Sequence, residues 1–227
     1  MTTAIASRYA AEYQTIAPAL PGQTLTWLQQ LRLKALEKFS AQGFPSPREE
    51  EWRYTNVSAI EKKLFSPSIN RVPSRIDPDW LKQYQLEDVW SVVLVDGQFS
   101  EEHSVLDGLP DSILVMSMAD ALVKYPKLLE IHLGQAVDNA EHSFIAFNTA
   151  WFTDGLFVHV LAKQVLAKPI QGLHIATQAD VLATTRSVII ADALAEAKVI
   201  ETFAGLDVAY LSAAVLIDDR PGGCSVR

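Results

Sequence analysis

From residue 25 onward the apolar positions Leu28, Leu31, Ala35, Leu36 and Phe39 recur at helical spacing, and Gly43, Pro45 and Pro47 stop the run. The pattern predicts an amphipathic helix that turns Gln29, Gln30, Arg32, Lys34 and Lys38 toward solvent. Ser46 can cap, Pro47 suits a first helical position and Glu49 closes a capping box, so a second helix is expected to begin there. Ser58 and Glu61 form another such box ahead of Ile60, Leu64 and Phe65. Pro67, Pro73 and Pro78 mark a linker, and Asp77-Pro78-Asp79-Trp80 opens one more short helix. Residues 1–85 therefore read as a helical N-terminal region.

The texture then changes. Residues 89–95 are a continuous apolar, β-branched run followed by Asp96-Gly97, a strand and turn ahead of Gln98-Phe99-Ser100. Residues 113–116 predict a short strand, whereas 119–123, 126–133 and 139–151 have helical character, so 86–153 read as a mixed α/β connection. Beyond Asp154-Gly155, apolar runs at 156–160, 173–176, 188–191 and 198–203 recur with starts 17, 15 and 10 residues apart. Residues 154–227 thus read as mainly β, compatible with a sandwich, a barrel or a parallel β-solenoid. No long helical pattern separates these strands, which disfavours a doubly wound sheet. From Leu206 the strand pattern fades. The fold class expected is α+β, helices first and strands after.

Charge sharpens this division. Residues 1–83 carry 11 basic and 8 acidic side chains, residues 84–227 carry 8 and 19, and the whole chain of 227 residues has a net charge of −8. Neither part has the clustered Lys and Arg of a nucleic-acid surface. Nor does any apolar run approach the roughly 18 residues of a membrane span. Arg8 and Glu12 interrupt the stretch where a signal peptide needs its apolar segment, so the expected compartment is the cytoplasm.

Candidate chemistry is sparse. A G-x-S-x-G elbow, a phosphate loop and a strand-linked G-x-G-x-x-G are all missing. The single cysteine, Cys224 in Pro221-Gly222-Gly223-Cys224, cannot build a disulfide or a multi-cysteine site within the chain, and reads as a thiol without a role. His132 and His142 are ten residues apart and match no helical ligand spacing, while His103 follows Glu101-Glu102 in an expected loop. His159 and His174 lie inside apolar strands, and stacked strands could bring the two rings together, structurally more readily than as metal ligands. No catalytic, cofactor-binding or metal-binding residue is therefore assigned.

Two separated segments carry more information. The first is Glu49-Glu50-Glu51-Trp52-Arg53-Tyr54-Thr55, where the capping logic leaves Trp52-Arg53-Tyr54 unexplained; Trp52 and Tyr54 could pack the helix while Arg53 stacks or pairs, or the three could dock a partner. The second is Phe144-Ile145-Ala146-Phe147-Asn148-Thr149-Ala150-Trp151-Phe152-Thr153-Asp154-Gly155, continuing through His159. Together these segments resemble SufD-type iron–sulfur cluster assembly proteins of the SufB/SufD family, and the likeness extends over roughly residues 25–205, including Leu173-His174-Ile175-Ala176 and Arg186-Ser187-Val188.

The resemblance implies the N-terminal half of such a protein, with a helical region followed by a right-handed parallel β-helix, here cut short. It implies a non-catalytic scaffold, not an enzyme, that joins a SufB-like subunit and a SufC-like ABC ATPase. It implies no cofactor in this chain alone and an iron–sulfur cluster only transiently in the assembled complex. The ATPase-binding helices of the family would lie beyond these residues, and an open last coil points either to self-association, as in a homodimer, or to the last residues folding over the open edge as a cap. Neither nucleic acid nor membrane is an expected partner. The rival reading is a β-solenoid enzyme acting on carbohydrate or acyl substrates, for which only the scattered Asp154, Asp180 and Asp192 are available.

Overall fold

The computed structural model of the chain describes residues 4–69, 75–138, 142–219 and 225–226. Its helices are α1 (Ala4–Ile16), α2 (Thr26–Gln42), α3 (Ser58–Glu61), α4 (Pro78–Lys82), α5 (Met118–Lys124), α6 (Pro126–Asp138) and α7 (Ser143–Trp151). The α2 helix ends where the sequence predicts, on Gly43 at φ 72°, and Asp77 caps α4 by accepting from the Asp79 and Trp80 backbone N–H groups.

The helix expected at Ser46 is only a 3₁₀ turn, Glu50–Trp52. The capping contact forms, with Ser46 N–H donating to Glu49 Oε1 at 2.8 Å, but Glu49, Glu50 and Glu51 are exposed. With no apolar stripe to bury, a nucleated turn has nothing to propagate it. At α3 the box is replaced by an Asn56 side chain that accepts from Ser58 N–H. Pro73 of the expected linker and Asn139–Glu141 of the expected third helix of the mixed region lie outside the described residues.

The strands are β1 (Ser66–Pro67), β2 (Trp90–Val95), β3 (Gln98–Val105), β4 (Ile113–Ser117), β5 (Leu156–Val160), β6 (Ile170–Ala176), β7 (Val181–Ala191), β8 (Glu196–Ala197), β9 (Val199–Gly205), β10 (Leu211–Asp219) and β11 (Ser225–Val226). One sheet runs β1-β7-β5-β4, with β10 also on β7, a second runs β3-β2-β6-β9, and β8 and β11 form a third. None of these closes into a barrel among the described residues. Asp96 and Gly97, at φ 51° and 83°, make the tight β2–β3 turn read from the sequence.

Four of the parallel pairs, β5–β7, β7–β10, β6–β9 and β8–β11, have a common step, whereas β1 and β2 join β7 and β6 from 115 and 80 residues away. Phe157 pairs with Val188 and Val188 with Ile217, 31 and 29 residues on. Ile170 pairs with Val199 and Glu196 with Ser225, each 29 residues on. Each step spans two of the apolar runs seen in the sequence, which explains why spacing by single runs looked uneven.

Both faces of the central strands β2, β5, β6 and β7 of the two larger sheets are covered. Leu156, Val158 and Ile189 meet Trp90, Val92, Leu94 and Ile170 between the sheets. The opposite face, with Phe157, Val188 and Ile190, packs on Leu28, Met118, Leu122 and Leu129 of α2, α5 and α6. On the far side, Val93, Val95, Leu173 and Ile175 are covered by Ile76 and Leu81. Burial on both faces is why these strands read as unbroken apolar runs. Tyr9, Phe39, Phe44, Phe147 and Trp151 join α1, α2 and α7 in an edge-to-face aromatic core, tied to the strands through Leu182 and Leu211.

Two expectations are corrected. The strand pattern does not end at Leu206: β10 pairs along its whole length with β7, but its burial alternates and its inward positions include the small Ala213, so the hydrophobic signal was weak. Arg32 is not solvated; it is 1 % exposed. Its place four residues after Leu28 and seven before Phe39 puts it on the buried stripe, whatever its charge. No described helix is long and apolar enough to cross a membrane.

Candidate functional site

The two informative sequence segments meet in the fold. Trp52 packs against Phe144 at 5.3 Å between ring centroids, and His142 Nδ1 lies 3.2 Å from Glu51 Oε2. Trp52 thus takes the packing role expected of it. Tyr54 does not: it is 91 % exposed, with the Arg53 guanidinium 5.6 Å above its ring.

The second segment is a buried polar hub where α7 runs into β5. Asn148 Nδ2 donates to the carbonyls of Thr185, 2.8 Å, and Ala213, 2.6 Å, clasping β7 and β10 at once. Asn148 Oδ1 accepts from Arg186 Nη1 at 3.0 Å. Thr153 Oγ1 is within 3.2 Å of both the Gly97 and Thr184 carbonyls, and Thr184 Oγ1 donates to Trp151 O at 2.7 Å. Gly155 sits so close to β7 that a Cβ there would fall 2.0 Å from Arg186 O.

Asp154 fastens three elements. Its Oδ1 accepts from Ala119 N–H at the start of α5 and from Gly155 N–H, and its Oδ2 accepts from Phe99 N–H of β3. Burial raises its pKa above the usual 3.8; these backbone N–H groups pull it back down, and burial prevails. The fold therefore binds this proton more tightly than the unfolded chain does. The Asp154 contribution is absent below pH 3.8, grows unfavourable as pH rises from 3.8 through the raised folded value, and is constant above it. Wild-type stability relative to Asp154→Asn is expected to fall across that window. Urea unfolding of both proteins from pH 3.5 upward measures it; a difference that stays flat or rises would refute the assignment.

Arg186, fully buried, has no carboxylate partner, and its Nε and Nη2 lack hydrogen-bond partners among the described residues. Burial lowers its pKa to about 10. Sequence reasoning gave Arg186 no role, since nothing local distinguishes it from an outward-facing arginine in a strand. The alternation of β7 is uninformative because both its faces are buried.

The histidines stay apart. His159 lies opposite Leu114 and Ile190, His174 opposite Leu94 and Phe203, in different sheets. Each meets a carboxylate instead: His159 Nε2 is 3.1 Å from Asp192 Oδ1, outside hydrogen-bond alignment, and His174 Nε2 is 3.2 Å from Glu201 Oε1 with its ring stacked on Phe203. His132 Nδ1 ties α6 to β10 through Asp219 Oδ2 at 2.5 Å, and His103 Nδ1 is 2.8 Å from Ser100 Oγ. Cys224 is outside the described residues. Among the described residues no three His, Cys, Asp or Glu side chains gather where a metal could be held. The three aspartates of the rival enzyme reading are equally dispersed, with Asp154 in the hub, Asp180 on Lys63 and Asp192 beside His159.

A buried hub that joins a helix, two sheets and a hairpin is a structural signature. The profile of the SufBD protein N-terminal region matches residues 3–172, which contain the α7–β5 junction. The chain belongs to the SufBD family. Similar SufBD proteins include the iron-sulfur cluster assembly SufBD family protein ABCI9 of Arabidopsis thaliana, 27 % identical over 152 residues that cover 59 % of this chain and 32 % of that protein. The family protein slr0076 of Synechocystis is 27 % identical over 146 residues, 63 % of this chain and 31 % of its own length. The ycf24 protein of Trieres chinensis is 25 % identical over 157 residues, 59 % and 30 %. These SufBD relatives match the chain over about a third of their own length.

Proposed function

We propose that this chain serves iron–sulfur cluster assembly as a non-catalytic scaffold. It acts in the cytoplasm with a SufB-like subunit and a SufC-like ABC ATPase, and a cluster is present only transiently in that complex. The carrying observation is what the signature segment does: Asn148, Thr153 and Asp154 are spent on internal hydrogen bonds, and none presents a reactive group to solvent. The names of the relatives supply the process. The common step of 29 to 31 residues in the parallel ladders supports a right-handed parallel β-helix as the platform.

Two measurements test this reading. Affinity capture of the tagged natural protein from its own cells should recover an ABC-type ATPase and a SufB-like subunit; recovery of neither would sink the complex role. Anaerobic reconstitution of the 227-residue chain should leave no cluster-like visible absorbance after gel filtration. Stoichiometric absorbance retained by Cys224→Ser would mean that the chain supplies cluster ligands of another kind.

A further inference from the structure

We propose that Arg32 anchors a binding site for a small organic monocarboxylate, in the cleft between α1, the turn after it and α2. The cleft is open to solvent and has a volume of about 480 Å³. That is within the range of small-molecule sites. Arg32 is among its lining residues, together with Tyr13, Gln14, Gln23, Gln29 and Leu33.

The charge on Arg32 is uncompensated. Among the described residues only its Nη2 has a hydrogen-bond partner, the Phe152 carbonyl at 3.2 Å; Nε and Nη1 are buried without one. The Phe152 ring lies 4.3 Å from the guanidinium carbon, and cation–π attraction offsets only part of the desolvation. Burial lowers its pKa to about 10, and the nearby Tyr13 hydroxyl opposes that shift. A buried cation with unmatched donors and no counter-ion among the described residues is the condition that binding an anion relieves.

The ligand class follows from the surroundings. A guanidinium edge matches a carboxylate as a planar two-toothed fork. One cation balances one negative charge, which favours a monocarboxylate over a phosphate dianion. The Gln29 amide already donates to the Gln23 carbonyl, so the rim has amide groups held in place for a polar substituent. Ala17, Pro18 and Leu33 offer apolar surface to a short carbon chain. Entry runs past Gln14, Gln29 and Leu33, all exposed, in keeping with a ligand small enough to reach Arg32, which is itself buried.

Sodium propionate is the probe, titrated into the 227-residue chain against sodium chloride at constant ionic strength. The Arg32 Nε–Hε resonance should shift saturably with propionate, with a dissociation constant on the order of 1 mM, and should not follow chloride. The thermal midpoint should rise with propionate in the wild type and not in Arg32→Met. Arg32→Lys, which keeps the charge without the fork, should lose most of the effect. Equal responses to propionate and chloride, a midpoint rise retained in Arg32→Met, or saturable binding of inorganic phosphate but not propionate would each overturn the proposal. Should Arg32→Met fail to fold, the wild-type resonance still decides.

Discussion

Gly155→Ala is expected to destabilise the protein by about 3 kcal/mol or more, at or beyond the upper end of ordinary overpacking. The added Cβ would meet Arg186 O at 2.0 Å, Arg186 C at 2.5 Å and Arg186 N at 2.9 Å. All three are backbone atoms, so no side chain can rotate away; β5 and β7 must move apart. That movement pulls on the Asp154↔Thr185 bridge and on the Arg186 N–H to Asp154 O bond of 2.8 Å. Gly172→Ala is the control, because its nearest neighbour would be Leu156 Cδ2 at 3.5 Å, an ordinary contact. It should lie within about 1 kcal/mol of wild type. Urea midpoints of the two variants give the comparison. Equal losses would mean that the β5–β7 approach is looser than described.

Asn148→Leu should cost about 3 kcal/mol or more, because it removes three buried hydrogen bonds, one of them from a charged group. The substitution removes the amide donor that bridges the Thr185 and Ala213 carbonyls and withdraws the only side-chain acceptor of Arg186 among the described residues. The guanidinium is left buried with none of its donors matched by a side chain. Arg186→Met should cost less, since it removes that cation together with its desolvation and leaves only Asn148 Oδ1 unpaired. In the double variant the losses should be less than additive by about 2 kcal/mol, the signature of direct coupling. Chemical denaturation of the four proteins closes the cycle. Additive losses would show that Arg186 does not depend on Asn148, and the hub would reduce to separate hydrogen bonds.

Both effects concern residues within the segments whose resemblance pointed to the family, and neither could be sized without coordinates. The sequence shows Asn148 in an apolar helix and Gly155 in a turn; it does not show that both meet Arg186 of β7.

The sequence alone determined what local chemistry decides. The α2 helix and its Gly43 stop, the Asp77 cap, the Asp96-Gly97 turn and the strands at 90–95 and 156–160 follow from spacing, caps and turn residues, because each is settled within a few neighbours along the chain. The absence of a phosphate loop or a cysteine cluster from the chain was equally readable. Tertiary structure decided everything that depends on what lies opposite. Arg32 and Arg186 became buried cations because other elements cover their faces, which side-chain polarity had argued against. The turn at Ser46 stopped after Trp52 because no neighbour covers its glutamates, and the weakly patterned residues 211–219 became a strand because β7 supplies the ladder. His159 and His174 were separated into two sheets by a step of 29 to 31 residues that only strand pairing defines. Pairing across such distances is set by the burial of both sheet faces at once, and that is a property of the folded chain and not of any window along it.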